Sequence, residues 1–246
     1  MAGASVYRRR IVVSRRDKRS VVCNLEDDFH HFEVTLSHDQ NRVIAVHNKS
    51  HRWPWATCPG AADHLRLLVG APLSTRFTDA ARFASAQANC THQFDAAAHA
   101  ITAAAHGREY RQYDAEIASL LHRAEPGRNR LWVDGRLTLD WVMQPATPPD
   151  LTGDLRGAPW KGGFMRWVDE RLEPEAAEDA IVLRRACDIG MGRGMPLDAI
   201  PVAADLLTTM GGVCHSMQPH IAPNGIRNVG SIRDFAAHPE RLALIH

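Results

Sequence analysis

The sequence predicts an α+β protein in which an antiparallel β-sheet packs against several α-helices, and three observations carry that expectation. From Tyr7 to His47 the chain is rich in β-branched residues separated by short polar turns. Asp134-Gly135 forms a two-residue turn signal between two further alternating segments. Helix-period apolar patterns with caps and glycine stops occupy much of the remainder.

Taken in order, Arg10-Ile-Val-Val-Ser, Ser20-Val-Val-Cys-Asn-Leu, His31-Phe-Glu-Val-Thr-Leu and Arg42-Val-Ile-Ala-Val-His read as a four-strand meander. Phe32, Val34 and Leu36 share one face of the third strand, and His30 points inward with them while His31 and Glu33 point out. An inward histidine needs a hydrogen-bond partner, and Asp27 and Asp28 are close in sequence. Asp28 is assigned as that partner; the alternative makes both aspartates turn residues and His30 a satisfied rim histidine.

A helix over 59–69 starts at Pro59, with Thr57 or Cys58 as cap, and stops at Gly70. Its positive end lowers the Cys58 thiol pKa if that site is partly exposed. Just upstream, Arg52, Trp53 and Trp55 form either an aromatic wall with a cationic edge or a pair of core anchors. Phe77 to Ala88 continues helical. The strongest helix then runs from Asn89 through His106, and on through Tyr110 and Tyr113 to about His122, placing Cys90 at its start. At 100° per residue, His92, Asp95, His99 and His106 fall on one arc, opposite Phe94, Ala98, Ile101 and Ala105. The arc either looks into a cavity or is wet, and ordinary amphipathicity alone accounts for the wet face.

Asn129 to Met143 forms the hairpin around Asp134-Gly135. The Pro/Gly-rich segment 144–163 is a lid, with Lys161 offered to an anionic group, or a tether. Glu173 to Ile189 and Leu197 to Met210 are the closing helices. The glycines at 190, 192 and 194 follow a helix rather than a strand, so they do not make a phosphate loop.

Composition narrows the function. The formal net charge of +1 over 246 residues gives no general attraction to nucleic acid or anionic membrane. There is no apolar run of membrane-spanning length, and the start has basic residues without the apolar segment of a signal peptide, so the expectation is a cytoplasmic protein. Five cysteines without a CxxC argue for free thiols, and 14 histidines suit acid/base work. The small-residue face of Ala96, Ala100 and Ala103 suggests close helix packing or a homo-oligomer interface.

Leu25-Glu-Asp-Asp-Phe-His-His-Phe, Arg52-x-Pro54-x-x-x-Cys58-Pro-Gly-Ala, Asn89-Cys-Thr-His and Gly212-Val-Cys-His-Ser-Met-Gln-Pro together resemble DUF2889, a bacterial family of unknown function. The resemblance spans nearly the whole chain, which implies one integrated unit over 1–246, with 144–163 as its one candidate internal boundary. It points to Cys58, Cys90 and His92, and leaves His99 and His106 as surface residues.

The expected function is a cofactor-independent lyase or isomerase, without a metal, acting on a small aromatic or ring-bearing metabolite in bacterial catabolism. His30 oriented by Asp28, or His92 oriented by Asp95, is the acid and base, because a carboxylate-oriented imidazole exchanges protons at neutral pH. Cys90 sits beside them. Trp53 and Trp55 hold the ring, and Arg52 or Lys161 stabilises oxyanion charge. The alternatives are a non-catalytic accessory protein that binds a small molecule or partner, and a metal-dependent hydrolase using Cys58, Cys90 and His92.

Overall fold

The computed structural model describes residues 6–118, 126–144, 149 and 151–242. Seven antiparallel strands form one sheet: β1 (Val6–Asp17), β2 (Ser20–Asp27), β3 (His31–His38), β4 (Val43–Arg52), β5 (Tyr110–Ala118), β6 (Gly127–Val133) and β7 (Arg136–Met143), in the order β4-β3-β2-β1-β5-β6-β7. The first four strands make the meander the sequence predicts, and Asp134 (φ 50°) and Gly135 (φ 79°) turn the β6–β7 hairpin.

Alternation assigns the two faces of the sheet. Tyr7, Ile11 and Val13 of β1, Cys23 and Leu25 of β2, Val34 and Leu36 of β3, and Tyr113 and Ile117 of β5 are buried in one core. On the opposite face of β1 and β5 lie the ion pairs Arg8–Glu116 and Arg10–Asp114. One face thus packs on the core while the other carries charge. Helix α1 (Thr91–His106) lies over β1, β2 and β3, and α3 (Pro174–Gly190) lies over β5, β6 and β7, preceded by α2 (Phe164–Arg171). At the end of α3 the backbone comes so close to the sheet that a Cβ on Gly190 would meet Ile117 at 3.0 Å and Tyr7 at 3.2 Å. A second, smaller core gathers Phe32, Trp55, Cys58, Cys90, Ala203, Leu206 and Met217.

Several helices differ from the sequence expectation. The helix begun at Thr91 ends at His106 rather than near His122, because Gly107 takes the left-handed conformation (φ 64°) that closes a helix. The chain then alternates, Tyr113, Ala115 and Ile117 inward against Asp114 and Glu116 outward, and becomes β5 against β1. Residues 119–122 of the expected helix lie outside the described residues. Cys58–Leu68 winds as 3₁₀ turns, as does Phe77–Arg82. The span 197–210 breaks into short 3₁₀ turns and one α turn, Leu207–Met210, since Pro201 has no N–H to continue a helix. In the segment 144–163, residues 145–148 and 150 lie outside the described residues; beyond them Trp160 packs edge-on against Trp141 and Phe164.

The histidine arc of α1 is not wet. His92, Asp95 and His99 are buried, as are Phe94, Ala98 and Ile101 opposite them, and Ala105 and His106 are half-buried. The reason is a polar seam facing β1 and α3. Asp95 lies 3.4 Å from Arg185 and 3.9 Å from Arg9. His99 Nδ1 lies 2.7 Å from Glu178, which also accepts from Thr102 (2.9 Å) and Arg108 (3.2 Å). Burial alone would raise the Glu178 carboxyl, but the His99 hydrogen bond, with Arg108 and Thr102, holds it down to about 2.

A carboxyl whose folded pKa lies below its unfolded value contributes stability that is complete above the unfolded pKa and is lost as pH falls through the folded one. Glu178→Gln is therefore expected to lower the unfolding free energy by about 3 kcal/mol above pH ~4.5, the gap to wild type shrinking toward pH ~2. Urea unfolding across that pH range checks this, and a pH-independent gap would remove Glu178 ionisation as the cause.

Candidate functional site

Alternation along β2 carries Cys23, Leu25 and then Asp27 to the inner face, while Asp28 falls on the turn after it. Asp27 is fully buried and accepts five hydrogen bonds. Its Oδ1 takes the backbone N–H of Phe29 (2.8 Å), that of His30 (2.7 Å) and His30 Nδ1 (3.1 Å). Its Oδ2 takes the Tyr7 hydroxyl (2.7 Å) and His92 Nε2 (2.9 Å). The two backbone bonds form an aspartate-capped turn, which is why His30 sits three residues on with its ring folded back. Tyr7 arrives from β1, whose Arg9 pairs with Asp27 across the ladder, and His92 arrives from the first turn of α1. The His30 and His92 rings stack with centroids 3.6 Å apart, and Phe29 and Phe32 flank His30.

The backbone of this turn is fastened by Arg52. Its guanidinium donates to the carbonyls of Asp27 (2.6 Å), Asp28 (2.9 Å) and His30 (3.2 Å) and to the Glu26 carboxylate (3.0 Å). Asp28 turns away from His30 to Arg193 (2.7 Å), beyond the end of α3, and accepts from the Phe235 N–H (3.4 Å). Burial, outweighing Arg193, pushes the Asp28 carboxyl up to about 7.

These bonds settle the protonation pattern. Burial alone would raise Asp27, yet the His30 and His92 imidazoles and their hydrogen bonds hold it well below the usual carboxylate range, so it is ionised. A carboxylate only accepts, so the protons lie on His30 Nδ1 and His92 Nε2. In the neutral forms of the rings, His30 Nε2 and His92 Nδ1 carry the lone pairs. Burial, aided by the neighbouring His30 ring, pushes His92 down to about 3, so it is a neutral imidazole at pH 7. His30 keeps 13% of its side chain exposed, against 4% for His92. Of the two imidazoles, His30 is thus the more accessible.

The other sequence-chosen residues fall elsewhere. Asp95 faces Arg9 and Arg185 rather than His92. Burial pushes the Cys58 thiol up to about 12, with the Ser216 hydroxyl donating to its sulfur at 3.3 Å, and pushes Cys90 well above its ordinary value. Desolvation thus overrides the helix-end effect at both thiols. Trp55 is a core anchor beneath the Arg227 guanidinium (5.5 Å), whereas Trp53, next to Arg52, is half-buried. Arg52 is spent on carbonyls. Lys161 is exposed and takes no part in the Asp27 hydrogen bonds. Among the described residues, the group that brings three His, Cys, Asp or Glu donor atoms within 4.8 Å is Asp27, His30 and His92, which Cys58 and Cys90 do not join. Sequence reasoning missed Tyr7 and Arg193 and chose Asp28 over Asp27. Strand parity from Cys23 and Leu25 is the signal that selects Asp27.

Residues 12–106 match the family model described as a protein of unknown function, DUF2889, the family the sequence resembles. That stretch contains Asp27, Arg52, His30 and His92, whereas Tyr7, Arg193 and the motif at Gly212 lie outside it. No curated protein and no solved structure matches the chain.

Long-range ¹H–¹⁵N NMR of histidine-labelled protein is expected to show the Nδ1–H tautomer for His30 and Nε2–H for His92, with His92 neutral down to about pH 4. An imidazolium signal from His92 at pH 6 would contradict the assignment. Cys58 and Cys90 are expected to resist a thiol reagent at pH 8 in the native state and to react on unfolding.

Proposed function

We propose that the chain is an acid/base enzyme of lyase or isomerase type acting on a small, ring-bearing metabolite, with His30 Nε2 as the base. The observation that carries this reading is the shared carboxylate: Asp27 accepts from both imidazoles, fixes their tautomers and leaves the lone pair of the half-buried His30 accessible. His30 removes a proton from a hydroxyl or an activated C–H of the substrate. The imidazolium so formed is stabilised by the Asp27 anion at 3.1 Å and returns the proton to the carbon or the leaving group when the bond rearranges. His92 and Tyr7 are positioning residues that hold Asp27, and Arg52 keeps the turn in place. The half-buried Trp53 next to Arg52 favours a flat, mostly apolar substrate. A role in bacterial aromatic catabolism would suit that chemistry.

The test is a thermal-shift screen with phenolic and acidic metabolites, followed by product analysis of each hit. His30→Ala is expected to lower kcat/KM by about 10²- to 10⁴-fold, with circular dichroism verifying that the variant folds. Hits that shift Tm without yielding product would instead indicate a binding protein, and undiminished turnover by His30→Ala would end the assignment of the base.

A further inference from the structure

The same three side chains have a second capacity, which departs from the cofactor-free, metal-free expectation. We infer that Asp27, His30 and His92 form a site for one first-row divalent cation of the zinc class, with an Asp27 oxygen, His30 Nδ1 and His92 Nε2 as ligands. Atoms bound about 2.1 Å from such an ion lie about 3.0 Å apart at right angles and about 3.4 Å apart at the tetrahedral angle. Asp27 Oδ1 lies 3.1 Å from His30 Nδ1 and Asp27 Oδ2 lies 2.9 Å from His92 Nε2, and one donor atom from each of the three residues lies within 4.8 Å of the others. The two rings stack with centroids 3.6 Å apart, so they turn toward the ion to bring both nitrogens onto it.

The outer partners are already present. Metal-bound carboxylates are held by further hydrogen bonds, and the Tyr7 hydroxyl and the N–H groups of Phe29 and His30 would stay on Asp27 when the imidazoles turn to the cation. Two imidazoles and one carboxylate suit zinc, iron, cobalt, nickel or copper better than calcium or magnesium, which ask for more oxygen ligands. Three protein ligands leave at least one position open, and His30, at 13% exposure, marks the side from which an ion enters.

The protons balance without net release from neutral rings. His30 gives up its Nδ1 proton and takes one at Nε2, and His92 gives up its Nε2 proton and takes one at Nδ1, both through solvent. A loaded site therefore presents His30 Nε2–H, a donor, where the free site presents a base. That inhibitory consequence rests on the acid/base reading above; the binding itself does not.

Chain dialysed against a chelator is titrated with Co²⁺, followed by visible absorption, and with Zn²⁺, counted by mass spectrometry of the metal. One equivalent per chain is expected. His30→Gln is expected to weaken binding about 100-fold and Tyr7→Phe about 10-fold. His47→Gln, an exposed histidine on β4, should leave binding unchanged. Circular dichroism of each variant verifies folding, and the half-buried His30 and the hydroxyl deletion at Tyr7 disturb packing less than a change at Asp27. No stoichiometric uptake, or uptake indifferent to His30→Gln, overturns the site and leaves the base assignment standing. Inhibition of turnover by bound Zn²⁺ supports both inferences, whereas turnover that requires the ion supports the site and removes His30 as the base.

Discussion

A carboxylate with no exposure to water is the constraint on which this architecture turns. Asp27 is ionised inside the protein, a condition that costs several kcal/mol unless its oxygens are fully paired. Its partners come from three directions: β1 sends Tyr7, α1 sends His92, and the turn after β2 sends His30 and two N–H groups. Each is brought there by burial elsewhere on its own element. Tyr7 shares a face with Ile11 and Val13, and His92 lies on the helix that buries Phe94 and Ile101. The apolar core thus sets the positions, and the anion dictates which polar atoms occupy them.

The seam along α1 extends the same logic. A helix buried on every side normally has apolar residues all round, yet α1 carries His92, Asp95 and His99 on one face. Each finds a polar partner on β2, β1 or α3, so the polar groups meet one another instead of water. Alanines at 96, 97, 98, 100 and 103, all buried, keep the rest of the helix slim against the sheet. The alanine stripe is thereby occupied within the chain.

How far the sequence discloses this depends on the distance over which its determinants act. Strand parity is local, and it correctly gives the meander, the inner residues Phe32, Val34 and Leu36, and the β6–β7 turn. It also gives Asp27 over Asp28, once the count is started from Cys23. The stop at Gly107 and the alternation of Tyr113, Ala115 and Ile117 are equally local, and they outrank the continuity that suggests a longer helix. The burial of the histidine arc is not local. His99 meets Glu178, and Asp95 meets Arg9 and Arg185, across long stretches of chain, so periodicity registers the arc and cannot say what covers it. Cys58 and Cys90 show the converse: a helix start is visible in sequence, but the desolvation that governs the thiol comes from a second core assembled with residues 203–222.

The turn that carries His30 is closed from outside by late-arriving chain. Arg233 donates its N–H to the Asp28 carbonyl (2.8 Å), Phe235 donates to the Asp28 carboxylate, and Arg193 links that carboxylate to Asp234 (2.5 Å). At the other end of the sequence, β1 is a central strand that completes its pairing only with β5, about a hundred residues on. Contacts so distant along the chain close costly loops and form slowly. During synthesis the meander therefore precedes its own inner site, whose final geometry waits for residues near 234 to leave the ribosome. A chain shortened before Arg193 would hold the aspartate and both histidines without their outer brace.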